Sequence, residues 1–242
     1  MIEPRSARHL ASIASLDSEA IGAGLERDGF FVTAPMLDVG HCAALAGLYD
    51  ADAARFRSTV TMARQGFGRG EYKYFAHPLP DLVVSLRQML YQRLAPVANA
   101  WALRLVQPAD WPAHHDALLT RCAAAGQTRP TPLLLRYGPG DYNCLHQDLY
   151  GAIHFPLQAI VLLDQPGVDF DGGELLLVEQ RPRRQSIPKV LPLLQGAIAV
   201  IPVKHRPVIG PRGSTRVQVR HGVSKLHRGQ RRTLGLIFHD AV

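Results

Sequence analysis

His146 and Asp148 close the stretch RYGPGDYNCLHQD, residues 136–148, and set an imidazole and a carboxylate two residues apart. The apolar run 132–135 reads as a strand, Gly138, Pro139 and Gly140 as a tight turn, and 144–150 as a second extended segment. On a strand, residues two apart point to one face, so His146 and Asp148 would stand side by side while Gln147 turns away. Side by side, the two supply part of a ligand set for a divalent metal. Such a pair is weak evidence alone, because a buried, hydrogen-bonded histidine is the commoner case. The chain carries its own control in His114 and Asp116, which lie in a helical pattern over 113–125 where positions two apart do not share a face.

A third ligand must come from a later strand that folds back beside His146. The candidates are His154, His205, His221, His227 and His239. His154 is too near the pair to return to it, and His205 sits in a Pro/Gly-rich loop. His221 ends the strand-like run VQVRHGV and is followed ten and eleven residues later by Arg231 and Arg232, so His221 is the choice. Two histidines and one carboxylate on one face leave three coordination positions open, the arrangement of non-haem Fe(II) oxygenases. Such iron needs a bidentate electron donor. If that donor is a 2-oxo acid, its distal carboxylate calls for an arginine fork. Arg231 and Thr233 share one face of the last strand and can both reach it; Arg232 shares the other face with Leu234, Leu236 and Phe238, the side expected against helices. The bland alternative is a basic strand end.

The elements that must position these residues are strands downstream and helices upstream. Strands are predicted over 155–163, 174–179, 197–202, 216–223 and 233–239, separated by Gly/Pro/Asp-rich turns at 165–173 and 206–213. Helical spacing covers 16–28, 39–50 and 82–105, the last interrupted by Pro96, and 29–37 reads as a strand. The fold class is therefore α+β, a jelly-roll (double-stranded β-helix) barrel over 131–242 buttressed by N-terminal helices in 1–130. At 242 residues and 47% hydrophobic content, one domain suffices.

Residues 58–75, STVTMARQGFGRGEYKYF, mix glycine, basic and aromatic side chains. The spacing is not that of a dinucleotide fold, and two readings stay open: a surface hairpin with a Gly-rich turn, or a loop that grips a base and its phosphates. Cys42, Cys122 and Cys144 are scattered and suggest neither disulfides nor a zinc knuckle. The N-terminus carries Glu3, Arg5 and Arg8 but no apolar stretch of signal-peptide length, and no run is long enough to span a bilayer. A soluble, cytoplasmic protein without membrane contact or an obligate protein partner is expected. The net charge of +7 favours polyanionic partners. From Arg181 to Arg232 a long series of cations runs without one Asp or Glu, which suits a phosphate backbone as well as a solvated surface.

These residues carry a resemblance. The set RYxPG, LHQD, a distant HG and an Arg-x-Thr ten residues on resembles the Fe(II)/2-oxoglutarate-dependent oxygenases over about residues 133–240. RYGPGDYNCLHQD is similar to the AlkB-type nucleic-acid dealkylases, and HGVSKLHRGQRRT to the prolyl-hydroxylase type, whose basic oxoglutarate ligand lies ten residues after the distal histidine. FPLQAIVLLDQPG, GGELLLVEQRPR and GLIFHDA are similar to a bacterial oxygenase family assigned to oxidative repair of damaged nucleic acid. The resemblance implies that His146, Asp148 and His221 ligate iron, that Arg231 pairs with the C5 carboxylate of 2-oxoglutarate, and that Tyr137 and Thr233 hydrogen-bond this co-substrate. It departs from AlkB at Leu135 and Ile237, where AlkB has an asparagine and a second arginine, and these departures bear on substrate rather than on oxygenase chemistry. The implied activity is oxidative demethylation of alkylated, single-stranded or damaged nucleic acid, with hydroxylation of a protein side chain or small molecule as the alternative. A third class, a non-enzymatic cupin-like sensor, would need no ligand triad together with an Arg-x-Thr.

Overall fold

Strands whose alternate residues are apolar must bury one face, and here two antiparallel sheets bury theirs against each other. The computed structural model describes residues 12–51, 53–181, 183–210 and 213–242, so the charges at Glu3, Arg5 and Arg8 lie outside the described residues. The major sheet runs β1 (Phe31–Val32), β11 (Ile198–Pro202), β7 (Leu157–Leu162), β15 (Arg231–Ile237), β5 (Leu133–Tyr137), β4 (Glu71–Phe75), β2 (Phe56–Thr61). The minor sheet runs β10 (Ile187–Leu191), β9 (Leu175–Gln180), β13 (Gly213–Val223), β6 (Tyr142–His146), β3 (Gly68–Arg69), with β12 (His205–Gly210) also paired to β13. β8 (Phe170–Gly172) and β14 (Leu226–Gly229) form a small third sheet.

The helices cover the outer face of the major sheet. They are α1 (Ser18–Asp28), α2 (Val39–Ala51), the single turn α3 (Met62–Gln65), α4 (Asp81–Arg104) and α5 (His115–Ala124). Leu86, Leu90 and Leu94 of α4 join Ala159 and Val161 of β7 and Leu234 and Leu236 of β15 in one core. Leu162, Leu177, Ala199, Ile201 and Val219 form a second core between the sheets. A central strand buried on both faces has no polar alternation, which is why β7 reads as an almost continuous apolar run. This is the expected jelly-roll-like barrel with helical support. None of the described helices is long and apolar enough to cross a membrane.

Several boundaries differ from the sequence reading. The strand expected over 29–37 shrinks to β1, because Gly29 is spent capping α1 in the left-handed region (φ 81°) and the chain then leaves the sheet, Met36 and Leu37 both donating to the Gly196 carbonyl. The turn expected over 206–213 is mostly β12, and His205 begins that strand rather than lying in a loop; Pro207 is tolerated there because β12 lies at an edge. The turn expected over 165–173 contains β8. Residues 58–75 are neither a free hairpin nor a free loop: β4 pairs with both β2 and β5, and β3 pairs with β6, so the segment is built into both sheets.

Candidate active site

Antiparallel pairing of β13 with β6 places His221 directly opposite His146, with ring centroids 4.2 Å apart. Asp148 lies beyond the end of β6, so the strand-face argument holds only up to His146. What brings the carboxylate in is the following loop, held down where the Gln147 amide donates to the Val219 carbonyl at 2.7 Å and to that of Lys204 at 3.3 Å. Asp148 Oδ2 lies 3.3 Å from His221 Nε2, and Oδ1 lies 3.7 Å from His146 Nε2. One donor atom from each of the three residues falls within 4.8 Å of the others, and no other such trio occurs among the described residues. His114 and Asp116 form no such site: His114 caps α5, and Asp116 accepts from Gln88.

Two of the three donors are oriented from behind. His146 Nδ1 bonds the Cys144 carbonyl at 2.8 Å, which turns Nε2 toward the site. Tyr150 donates to Asp148 Oδ1 at 2.7 Å, and Tyr74 donates in turn to the Tyr150 hydroxyl at 2.9 Å. Burial opposes ionisation of Asp148, but the hydrogen bond and charge of His221, with His146 and Tyr150, hold its carboxyl well below the usual carboxylate range. Burial, then the neighbouring His221, lowers the His146 pKa, keeping the ring neutral with a lone pair to give. Two neutral imidazoles and an ionised carboxylate are the donor set a divalent iron accepts.

The triad opens into a cavity of about 210 Å³ that also holds Arg231, Thr233, Gln158 and Asn143. Three arginines are buried to 2% exposure or less, and two have internal carboxylates: Arg87 meets Asp240 at 2.7 Å and Arg206 meets Glu179 at 2.6 Å. Arg231 has none, and its Nη1 is buried without a hydrogen-bond partner. Burial lowers its pKa, and a carboxylate ligand in the cavity would compensate that guanidinium. Arg232 is turned to the opposite face and forks Asp164 (Nη2 to Oδ1, 2.5 Å; Nε to Oδ2, 3.1 Å), so the strand register separates the two arginines as expected. Tyr137 does not line the cavity. It is fully buried opposite Arg231 in the β5–β15 pairing, accepts from Asn143 at 3.3 Å, and has its hydroxyl pushed up to about 12 by burial.

Several wall residues escaped the sequence reading. Gln158 sits 3.3 Å from His221 Nε2, and its signal was a lone polar residue inside the apolar strand FPLQAIVLL. Tyr150 and Asn143 carried no signal apart from nearness to the motif. From residues 58–75, Phe67, Tyr72 and Tyr74 do line the cavity, whereas Lys73 points outward to the Tyr49 ring and carbonyl.

This architecture is that of the Fe(II)/2-oxoglutarate oxygenases. The fold is similar to an oxidoreductase of the 2OG-Fe(II) oxygenase family from Burkholderia pseudomallei (TM-score 0.55, 14% identity, 94% of each chain). It is also similar to a prolyl-4-hydroxylase from Pseudomonas putida (TM-score 0.52, 15% identity, 90% of this chain and 96% of that one). Over residues 70–241 the chain belongs to the Oxygenase-NA family, described as an oxygenase catalysing oxidative methylation of damaged DNA. An uncharacterized protein of Mycobacterium tuberculosis, found in two strains, is 45% identical over 195 residues, covering 79% of this chain and 84% of its own. The protein is thus a 2-oxoglutarate-dependent dioxygenase, and the His-Asp-His set and the uncompensated Arg231 fit Fe(II) and 2-oxoglutarate.

Proposed function

We propose that the enzyme oxidatively demethylates alkylated bases in nucleic acid, with His146, Asp148 and His221 holding iron, Arg231 and Thr233 binding the co-substrate, and Tyr137, away from the cavity, backing the Arg231 guanidinium. The observation that carries the site assignment is the buried, unpaired Arg231 in the same cavity as the triad. When bound, iron and 2-oxoglutarate supply an oxidant that places one oxygen atom of O2 in a substrate C–H bond while the oxo acid becomes succinate and CO2. Oxygen placed on an N-methyl carbon gives a hemiaminal that splits into formaldehyde and the free base, so on such a substrate the chemistry removes the methyl group.

The chain's own part is binding, orientation and exclusion of water. Arg231 and the Thr233 hydroxyl address a carboxylate at the deep end, where Tyr137 supports the guanidinium from behind. Tyr150 and Tyr74 fix the rotamer of Asp148. Tyr72, Phe67 and Leu133 line the reacting space with flat, apolar surface suited to a planar base, and Asp148 is the one carboxylate among the lining residues. The spacing of ten residues from His221 to Arg231, shared with prolyl hydroxylases, favours hydroxylation of a protein side chain or small molecule as the second reading. The deciding experiment incubates the iron-loaded protein with 2-oxoglutarate and methylated single-stranded oligonucleotides, beside peptides and metabolites, and measures formaldehyde and succinate. Formaldehyde in step with succinate from the oligonucleotide supports demethylation; a hydroxyl retained on a peptide or metabolite selects the second reading.

A further inference from the structure

A second cavity, of about 480 Å³, is lined by Trp101, Trp111, His154, Lys204, His205 and Arg216, among others. It lies beside the catalytic cavity, on the far side of the loop after β6: Gln147 at the start of that loop lines the catalytic cavity, and His154 at its end lines the second. The charge around it is one-signed. Its single lining carboxylate, Asp110, is engaged with Arg121 at 3.2 Å, which leaves Lys204 and Arg216 without an acidic partner among the described residues. In the β12–β13 pairing His205 stands opposite Gln218, so Arg216, two residues from Gln218, shares their face. From His205 and Arg216 the surface continues to Arg181 and Arg183 in an adjoining hollow.

The cations of this stretch are not equivalent. Arg181, Lys189 and Arg206 gather on Glu179, Arg228 binds Asp171 and Arg232 binds Asp164, so these have carboxylates within the fold. Lys204 and Arg216 have no such partner among the described residues and line this cavity with His154 and His205, while Arg183 lines the adjoining hollow. Burial first, then repulsion from Arg216 and Lys204, pushes His205 down to about 4, and His154 Nδ1 is buried without a partner. A bound anion would relieve this mutual repulsion. Partly exposed Trp111, with the buried Trp101 beneath, lines the same cavity beside the cations, the combination that single-stranded nucleic acid uses, with phosphates on cations and bases on an aromatic face.

We propose that this cationic hollow holds the phosphodiester backbone of the same strand whose damaged base enters the catalytic cavity, an inference that rests on the nucleic-acid reading above. Along β13, His221 and Arg216 are five residues apart, roughly 17 Å at about 3.3 Å per residue, and their side chains point to opposite faces of the strand, so a nucleic-acid strand bound at both would pass around the loop after β6 over several nucleotides. The hollow thus binds nucleotides flanking the target rather than the target itself.

The chain's two tryptophans both line this cavity, so their fluorescence reports its occupancy. The test titrates the full-length protein with an unmodified, labelled single-stranded oligonucleotide at several salt concentrations, reading tryptophan fluorescence and the anisotropy of the label together. Wild type should show saturable quenching and salt-dependent binding. Lys204→Ala/Arg216→Ala should lose the quenching and lower the slope of log affinity against log salt by about 1.4, at about 0.7 per lost phosphate contact on a single strand, with an unchanged melting midpoint. Binding by anisotropy with a wild-type slope in the double variant and no tryptophan response would overturn the hollow while leaving the nucleic-acid reading intact. No binding by wild type would overturn both. A polyglutamate peptide that competes as well as the oligonucleotide would replace nucleic acid by an acidic protein partner.

Discussion

Replacing Arg231 by methionine separates a structural arginine from one kept for a ligand, because the two predict opposite signs. A buried arginine that serves the fold has a partner, and removing it strands that partner. Arg87 is the control: its Nη2 meets Asp240 at 2.7 Å, its Nε donates to the Ile237 carbonyl at 2.9 Å, and Asp240 is itself buried. Breaking such a pair costs about 3–5 kcal/mol. At about 2–4 °C per kcal/mol for a chain of this size, Arg87→Met should melt about 6–20 °C lower. Arg231 has no carboxylate partner to strand, so Arg231→Met should melt at or above wild type, since exchanging a buried charge for an apolar side chain is neutral or stabilising by about 1–4 kcal/mol. Its effect appears on adding 2-oxoglutarate. With Mn(II) standing in for iron, 2-oxoglutarate at a hundred times its Kd should stabilise wild type by about 2.7 kcal/mol, or about 5–11 °C. In Arg231→Met the loss of a buried charge pair, about 3–5 kcal/mol, weakens binding by about 150- to 5,000-fold and removes that shift. Thermal melts of the three proteins with and without 2-oxoglutarate read both effects. If Arg231→Met melts as low as Arg87→Met and keeps the ligand-induced shift, the assignment of Arg231 is wrong.

Three further outcomes are expected. His146→Ala and Asp148→Ala should each abolish iron-dependent 2-oxoglutarate decarboxylation while His114→Ala leaves it at the wild-type level; full decarboxylation by either of the first two would sink the ligand assignment. Arg232→Ala strands the buried Asp164 and should destabilise by about 3 kcal/mol without changing the 2-oxoglutarate requirement, measured by denaturant unfolding beside a co-substrate titration. His115, buried and bonded to the Phe238 carbonyl at 2.8 Å, has its pKa pushed down to about 4 by burial and then by Arg87. Because the unfolded chain takes up this proton near pH 6.5 and the folded one does not until about 4, its contribution is whole above 6.5 and is lost as pH falls to 4. That loss is up to about 3 kcal/mol, and His115→Gln should flatten this part of the stability–pH curve.

The local chemistry was written in the chain. His-x-Asp, the distant His-Gly and Arg-x-Thr are matters of residue type and spacing, and the period of two along the last strand was enough to put Arg231 on the cavity side and Arg232 on the other. Long apolar patterns likewise marked α1, α2, α4, β7 and β11 to within a few residues, because burial on a regular element repeats in sequence. What only the tertiary structure decided is which distant groups meet. That His221 lies opposite His146 follows from the register of β13 on β6, which depends on pairing between segments more than seventy residues apart. Asp148 is aimed by a loop whose anchors are the carbonyls of Lys204 and Val219, and by a hydroxyl relay that ends on Tyr74, far upstream in the chain. The run of like charge from Arg181 to Arg232 shows the limit of a one-dimensional reading most plainly. It contains no acid, yet folding brings Glu179, Asp171 and Asp164 to five of its cations and leaves Lys204 and Arg216 uncompensated, because charge balance is set by neighbours in space rather than along the chain.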